Sequence, residues 1–441
     1  MKKITWLLPL VCTTLFVDAQ KKNDRKTLSN LQTHVTYLCS DKLEGRQTGA
    51  PGEQLAAAYL SSQLEQIGIS PRGDNGFLQT FTIREGREPD NCTLNLNHDK
   101  LASGKQFIAL PFSASKSAKG EVLPAVNEPD NIWLINITEI EADPHKSKLE
   151  QYLQQTQIAA KSGASAVIFY NGKETPAEVN AWHKQTMAPA GIPAVWVSSD
   201  ISKILGNDDA NAFQIDMKIA FKKVKVTGTN VIGFIDNQAA KTVIIGAHYD
   251  HLGKGANNTI YHGADDNASG TAALLELARM LKSARIKNHN FVIIAFSGKE
   301  EGLAGSSWFT AHSEGIDLMS VNYMINMDII GDLDASRGVQ IGGINSSAGW
   351  PGIIGSVATK ETRVVYDSSG NATSDHVSFY KKNIPVLYFY TNAHKGIPET
   401  DDNPDKINYD GTLTVIKLVY DIINKTDNME KLAFNAGTAR K

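Results

Sequence analysis

The hydrophobic pattern divides the chain into four stretches. Lys2 and Lys3 precede an apolar run from Ile4 to Val17, and Val17-Asp18-Ala19 follows with small residues. Positive, apolar and small in that order predicts a secretory leader over residues 1–19, and hence a secreted or periplasmic protein. Next, Leu28, Leu31, Val35 and Leu38 recur at helical spacing. Leu43 to Gly52 is a glycine-punctuated loop. Glu53 to Ile67 carries Leu55, Ala58, Tyr59, Leu60 and Leu64 as the apolar stripe of a second helix, and Phe77 to Ile83 has the composition of a strand.

The pattern changes over residues 91–225. Ile132–Ile137, Ala164–Tyr170 and Ile192–Val197 read as strands, and Tyr152–Ser162 as a helix. None carries clustered His, Asp or Glu, so this stretch is expected to be an insert outside the chemistry. From Gly228 strands and helices alternate. The strands are Asn230–Ile235, Thr242–Ala247, Phe291–Phe296, Tyr323–Met327 and Val386–Tyr390; the helices are Ser269–Leu281 and Gly305–His312. Phe291–Phe296 is continuously apolar, as in a strand buried on both faces. The alternation predicts an α/β fold, a doubly wound and mainly parallel sheet with helices on both faces. That domain should be discontinuous, over 28–90 and 226–428, with 91–225 inserted.

Composition narrows the options. A chain of 441 residues exceeds one typical core. Its net charge of -3 and lack of a basic stripe argue against nucleic acid. No run beyond the leader has the length and apolarity of a membrane span. Of the three cysteines, Cys12 lies in the leader, so Cys39 and Cys92 leave at most one disulfide.

The candidate chemistry lies in four clusters at the ends of apolar runs, where open α/β sheets gather their ligands. They are His248-Tyr249-Asp250, Gly263-Ala264-Asp265-Asp266-Asn267, Lys299-Glu300-Glu301-Gly302 and Asn326-Met327-Asp328. Zinc takes His nitrogen and carboxylate oxygen, and a two-metal site needs a bridging carboxylate. His248 and Asp328 are expected on the first ion, Asp266 as the bridge and Glu301 on the second ion. Glu300 is left as general base for the attacking water. Asp250 lies two residues after His248, on the same side of an extended chain, and can orient the imidazole or a neighbour. Gly263 permits a tight turn and Gly270 a close-packed helix start.

These clusters, with Leu43-Glu44-Gly45-Arg46 and Ser374-Asp375-His376, resemble the co-catalytic zinc aminopeptidases, a family that also includes glutamate carboxypeptidases. The resemblance spans about 28–90 and 226–428. It implies a zinc exopeptidase acting on peptides or small proteins, most simply an aminopeptidase, holding two Zn2+ ions. It assigns His248, Asp266, Glu301 and Asp328 as ligands and Glu300 as base. It makes Asp266-Asn267 a candidate cis peptide. The insert resembles, more loosely, a protease-associated domain. Arg46 could meet substrate or form a surface ion pair, and His376 should stand near the site without ligating.

One position departs from the family. Relatives usually supply the last ligand from a Tyr-His pair about seven residues before Asp-Lys-Ile. Here Asp405-Lys406-Ile407 is present, and seven residues back stands Pro398. His394 is the expected substitute, with Glu399 as a second choice. A glutamate-carboxypeptidase-type enzyme and a metal-depleted binding protein are the rival expectations.

Overall fold

The structure is a computed structural model. It describes residues 9–122, 126–141, 143–206, 212–255, 258–313, 315–359, 362–367, 373–391 and 399–436, with the backbone alone for 9–20. The chain forms two compact units, Met1–Ile83 with Thr227–Lys441, and Arg84–Val226.

The larger unit is built on one mixed nine-stranded sheet. In chain order its strands are β1 (Ser70–Pro71), β2 (Leu78–Pro89), β3 (Phe221–Ile235), β4 (Lys241–His248), β5 (His289–Phe296), β6 (Val321–Met327), β7 (Val339–Gly342), β8 (Val364–Tyr366) and β9 (Val386–Tyr390). The spatial order is β1-β3-β5-β4-β6-β9-β7-β8, with β2 beside β3. β5, β4, β6 and β9 are mutually parallel, and antiparallel neighbours flank them on both sides.

Alternation along the parallel strands feeds two cores. Val243, Ile245 and Ala247 of β4 enter one cluster, with Phe291, Ile293 and Ala295 of β5. Ile244 enters the opposite cluster, with Val292, Ile294 and Phe296. Helices α1 (Pro9–Leu38), α2 (Pro51–Ile67), α3 (Gly270–Ser283), α5 (Trp350–Val357) and α7 (Tyr409–Thr426) cover the first face. Helices α4 (Ala304–Ala311) and α6 (His376–Tyr380) cover the second. A strand buried on both sides has no use for a polar face, which is why Phe291–Phe296 shows no alternation.

Chain order sets where chemistry can occur. The chain leaves β4 through α3 into β5 on one side, then returns through α4 to β6 on the other side of β4. The carboxyl end of β4 is therefore a topological switch point, where a crevice opens between diverging connections.

The smaller unit holds two four-stranded sheets. One pairs Phe107–Ala109, Ala194–Val197, Ala166–Tyr170 and Ile132–Asn136, the last three parallel, with the helix Lys148–Lys161 in the connection. The other is antiparallel, from Asp99–Lys100, Thr93–Leu96, Phe213–Lys218 and Ser117–Val122. Cys39 and Cys92 are both free thiols.

Candidate metal centre

His248 is the last residue of β4, and Asp328 directly follows β6. Parallel neighbours end side by side, so the two side chains converge: His248 Nε2 lies 3.0 Å from Asp328 Oδ1. Asp266 arrives from the loop before α3, its Oδ1 at 3.2 Å from the same nitrogen. The other ring nitrogen, Nδ1, faces the main-chain oxygen of Asp250 at 3.1 Å, which fixes the ring with Nε2 towards the carboxylates.

The loop bearing Asp266 is held by backbone anchors. Asp402 accepts from the amides of Asp265 (2.7 Å) and Asp266 (3.0 Å). Asn267 donates to Met327 O and accepts from the amides of Gly270 and Ile329, tying the loop to the end of β6. Gly263 has φ +58° and a Cβ there would lie 2.3 Å from Asp266 O; one on Gly270 would lie 2.5 Å from Met327 O. Neither position admits a side chain. The Asp266-Asn267 peptide is cis.

Arg46 is neither a surface residue nor a substrate contact. It is fully buried and donates to the carbonyls of Tyr249, Leu38, His262 and Gly263. It clamps both ligand-bearing loops from behind.

Asp250 acts on its neighbours as well as on His248. Its carboxylate accepts from Thr48 Oγ1 at 2.9 Å, from the Lys299 amide at 3.2 Å and from the Glu300 amide at 3.1 Å. The chain leaving β5 is thereby pinned so that Glu300 reaches the site. Burial raises the Glu300 pKa, and the adjacent Lys299 ammonium opposes that rise. Lys299 Nζ bonds Glu300 Oε1 at 2.8 Å and stands 3.6 Å from Asp266 Oδ1.

Among the described residues, two groups of side chains can ligate a metal ion. One is His248, Asp266 and Asp328; the other is His251, Asp266 and Glu300; within each, the ligand atoms lie within 4.8 Å of one another. Asp266 belongs to both, as a bridge must. The first group fits a metal: Asp266 Oδ1 is buried and accepts no hydrogen bond, although His248 and Asp328 crowd it. Burial disfavours a charge on His248, but Asp328, Asp250 and Asp266 push its pKa well above the histidine range. The cluster thus calls for a cation. Ser374 Oγ donates to the remaining Asp328 oxygen at 2.7 Å.

Glu301 corrects an expectation. It is exposed and joins neither group; Glu300 takes that corner. The physical reason is the turn after β5. Asp250 fixes the amides of Lys299 and Glu300, and Gly302 and Leu303 follow with positive φ, so the next side chain points to solvent. His394 and Pro398 lie outside the described residues. Glu399 is exposed and in neither group. His376 stacks on Tyr388 with ring centroids 4.6 Å apart and joins no ligand group among the described residues. Asp375 beside it is fully buried, and burial lifts its carboxyl to about 7. Asp402 carried no sequence signal as an anchor, because it acts on amides far along the chain; Thr48 and Ser374 stand in motifs that the sequence singles out, but their partners do not show there.

Residues 230–423 match the family model described as Peptidase family M28. That stretch is similar to the M28 peptidases. Its metal group, on β4, β6 and the loop before α3, lies within the matched stretch. Aminopeptidase YwaD of Bacillus subtilis (strain 168) is 28% identical over 422 residues, covering 90% of this chain and 83% of that protein. A probable leucine aminopeptidase of Trichophyton verrucosum is 28% identical over 248 residues, 53% of this chain and 64% of that one. Among solved structures, BSAP, a zinc aminopeptidase from Bacillus subtilis, aligns with TM-score 0.53 at 20% identity, covering 92% of this chain and 98% of that one. The aminopeptidase from Aneurinibacillus sp. strain AM-1 aligns at TM-score 0.50 and 22% identity, over 92% and 94%. At these identities the solved structures establish the shared α/β fold.

Proposed function

We propose that the chain is a zinc-dependent exopeptidase that removes N-terminal residues from peptides. The observation that carries this is the His248–Asp266–Asp328 group at the switch point with the Glu300 carboxylate beside it. When bound, zinc polarises the scissile carbonyl and acidifies the attacking water. The remaining work falls to the protein. His248, Asp266 and Asp328 hold the ion. Glu300 takes the proton from the water and returns it to the leaving amine. Asp250 positions Glu300 through its amide and holds the His248 ring through its own carbonyl. The names of the relatives above support an aminopeptidase over a carboxypeptidase.

The test is hydrolysis of aminoacyl-nitroanilides by the purified protein. Turnover abolished by a chelator and restored by zinc is expected. Cleavage only of N-blocked peptides ending in glutamate would favour the carboxypeptidase. Lys299 favours one second reading, a protein that binds peptides without cleaving them; peptide binding with no turnover by zinc-loaded protein would select it. Residues 1–19 support export from the cytoplasm, and the unit Arg84–Val226 is assigned as a protease-associated module on its strand pattern.

A further inference from the structure

The second ligand group contains a cation of its own. Lys299 is only 16% exposed, and its ammonium contacts Glu300 and Asp266, both carboxylates of the second group. The third member, His251, is 3% exposed, and both its ring nitrogens are buried without a hydrogen-bond partner. An unpartnered buried imidazole aimed among carboxylates marks a place shaped for positive charge. The Lys299 amide is fixed by Asp250, so the side chain starts at the wall of the site. A second metal ion would stand roughly 3.5–4 Å from the first. It would need the same two carboxylates that the ammonium already uses.

We propose that the Lys299 side chain is a built-in cation holding the second metal position, so that the chain binds one zinc ion, through His248, Asp266 and Asp328. The inference rests on the zinc peptidase reading above. It makes Lys299 a positioning and charge-balancing residue: it keeps Glu300 and Asp266 in place as a second ion would, without offering a site for water. With Lys299 shortened or neutralised, His251, Asp266 and Glu300 become a complete three-residue ligand group.

Zinc per chain, measured by mass spectrometry after loading and desalting the full-length protein, tests this. Wild type should hold one zinc and Lys299→Met two. Lys299→Arg, which keeps the charge, should hold one. Lys299→Met combined with His251→Ala should return to one. Two zinc ions in wild type would overturn the inference and leave the peptidase reading standing; this measurement needs no variant to fold. One zinc in a Lys299→Met protein that melts like wild type would also overturn it. No zinc in wild type would overturn the peptidase reading together with the inference.

Discussion

Asp250→Asn separates holding the metal from positioning the base. The Asp250 carboxylate serves Thr48 and the Glu300 amide through one oxygen and the Lys299 amide through the other. An Asn amide has a single acceptor oxygen. Set towards Glu300, it turns an NH2 on the Lys299 amide; set towards Lys299, it turns the NH2 on the Glu300 amide. Thr48 can reverse its hydroxyl, but a backbone N–H cannot reverse. One main-chain donor loses its acceptor in either orientation, and the surviving bonds lose their charge assistance. The stability cost is about 1–3 kcal/mol. The kinetic cost should be larger, because Glu300 is aimed through that amide: a 10–100-fold fall in kcat is the scale for disturbed outer partners of a metal site. Zinc content should stay near wild type, since the contact to His248 Nδ1 comes from the Asp250 main-chain oxygen, which Asn retains. The assay is kcat and KM on an aminoacyl-nitroanilide, with zinc content and a thermal melt on the same sample. A folded Asn variant with wild-type kcat would refute the argument. So would loss of zinc with unchanged turnover per zinc, which would place the carboxylate on the ligands rather than on Glu300.

Other outcomes follow from the same geometry. Arg46→Met removes the donor shared by four carbonyls, three of them in fully buried bonds, and should cost about 3–5 kcal/mol in a chemical melt; a change under 1 kcal/mol would show that water replaces the guanidinium without loss. Glu300→Ala should abolish turnover while Glu301→Ala keeps it within about twofold, since an exposed side chain contributes little; the reverse order would restore the one-residue-later register. Asp375 is uncharged in the fold up to about 7, whereas in the unfolded chain it ionises near 3.9. A raised folded pKa gives stability that is full below the unfolded value and is lost as pH rises through the folded one. Zinc-free Asp375→Asn should therefore match wild type at pH 4 and exceed it by roughly 4 kcal/mol at pH 8; equal melts at both pH values would contradict the buried neutral carboxyl.

The strand ends were legible because their pattern is local. His248 and Asp328 each follow an apolar run, and a run buried on both faces can end only where the sheet ends. The choice between Glu300 and Glu301 was not legible. Both glutamates suit a ligand, and the path of the turn is decided by Asp250, fifty positions earlier. Arg46 was misjudged for the same reason. An arginine on a glycine-rich loop looks solvated until carbonyls from Leu38, Tyr249, His262 and Gly263 close around it. The antiparallel sheet of the smaller unit pairs Thr93–Leu96 with Phe213–Lys218, a separation at which alternation in one strand says nothing about its partner.

Competition for shared carboxylates argues from a different direction for the proposed single zinc. A second ion held by His251, Asp266 and Glu300 would draw on the two carboxylates that the Lys299 ammonium already contacts. Ion and ammonium would then repel each other beside a site where His248 and Asp328 are almost wholly buried. Buried charge without a partner is expensive, several kcal/mol per ion even after relaxation. A second zinc could enter only by expelling Lys299, whose amide stays fixed by Asp250. Expulsion would exchange a paired ammonium for one that must reach solvent from the wall of the site. The proposed single zinc therefore rests on Lys299 keeping its two carboxylate contacts, which zinc counts on wild type and Lys299→Met decide.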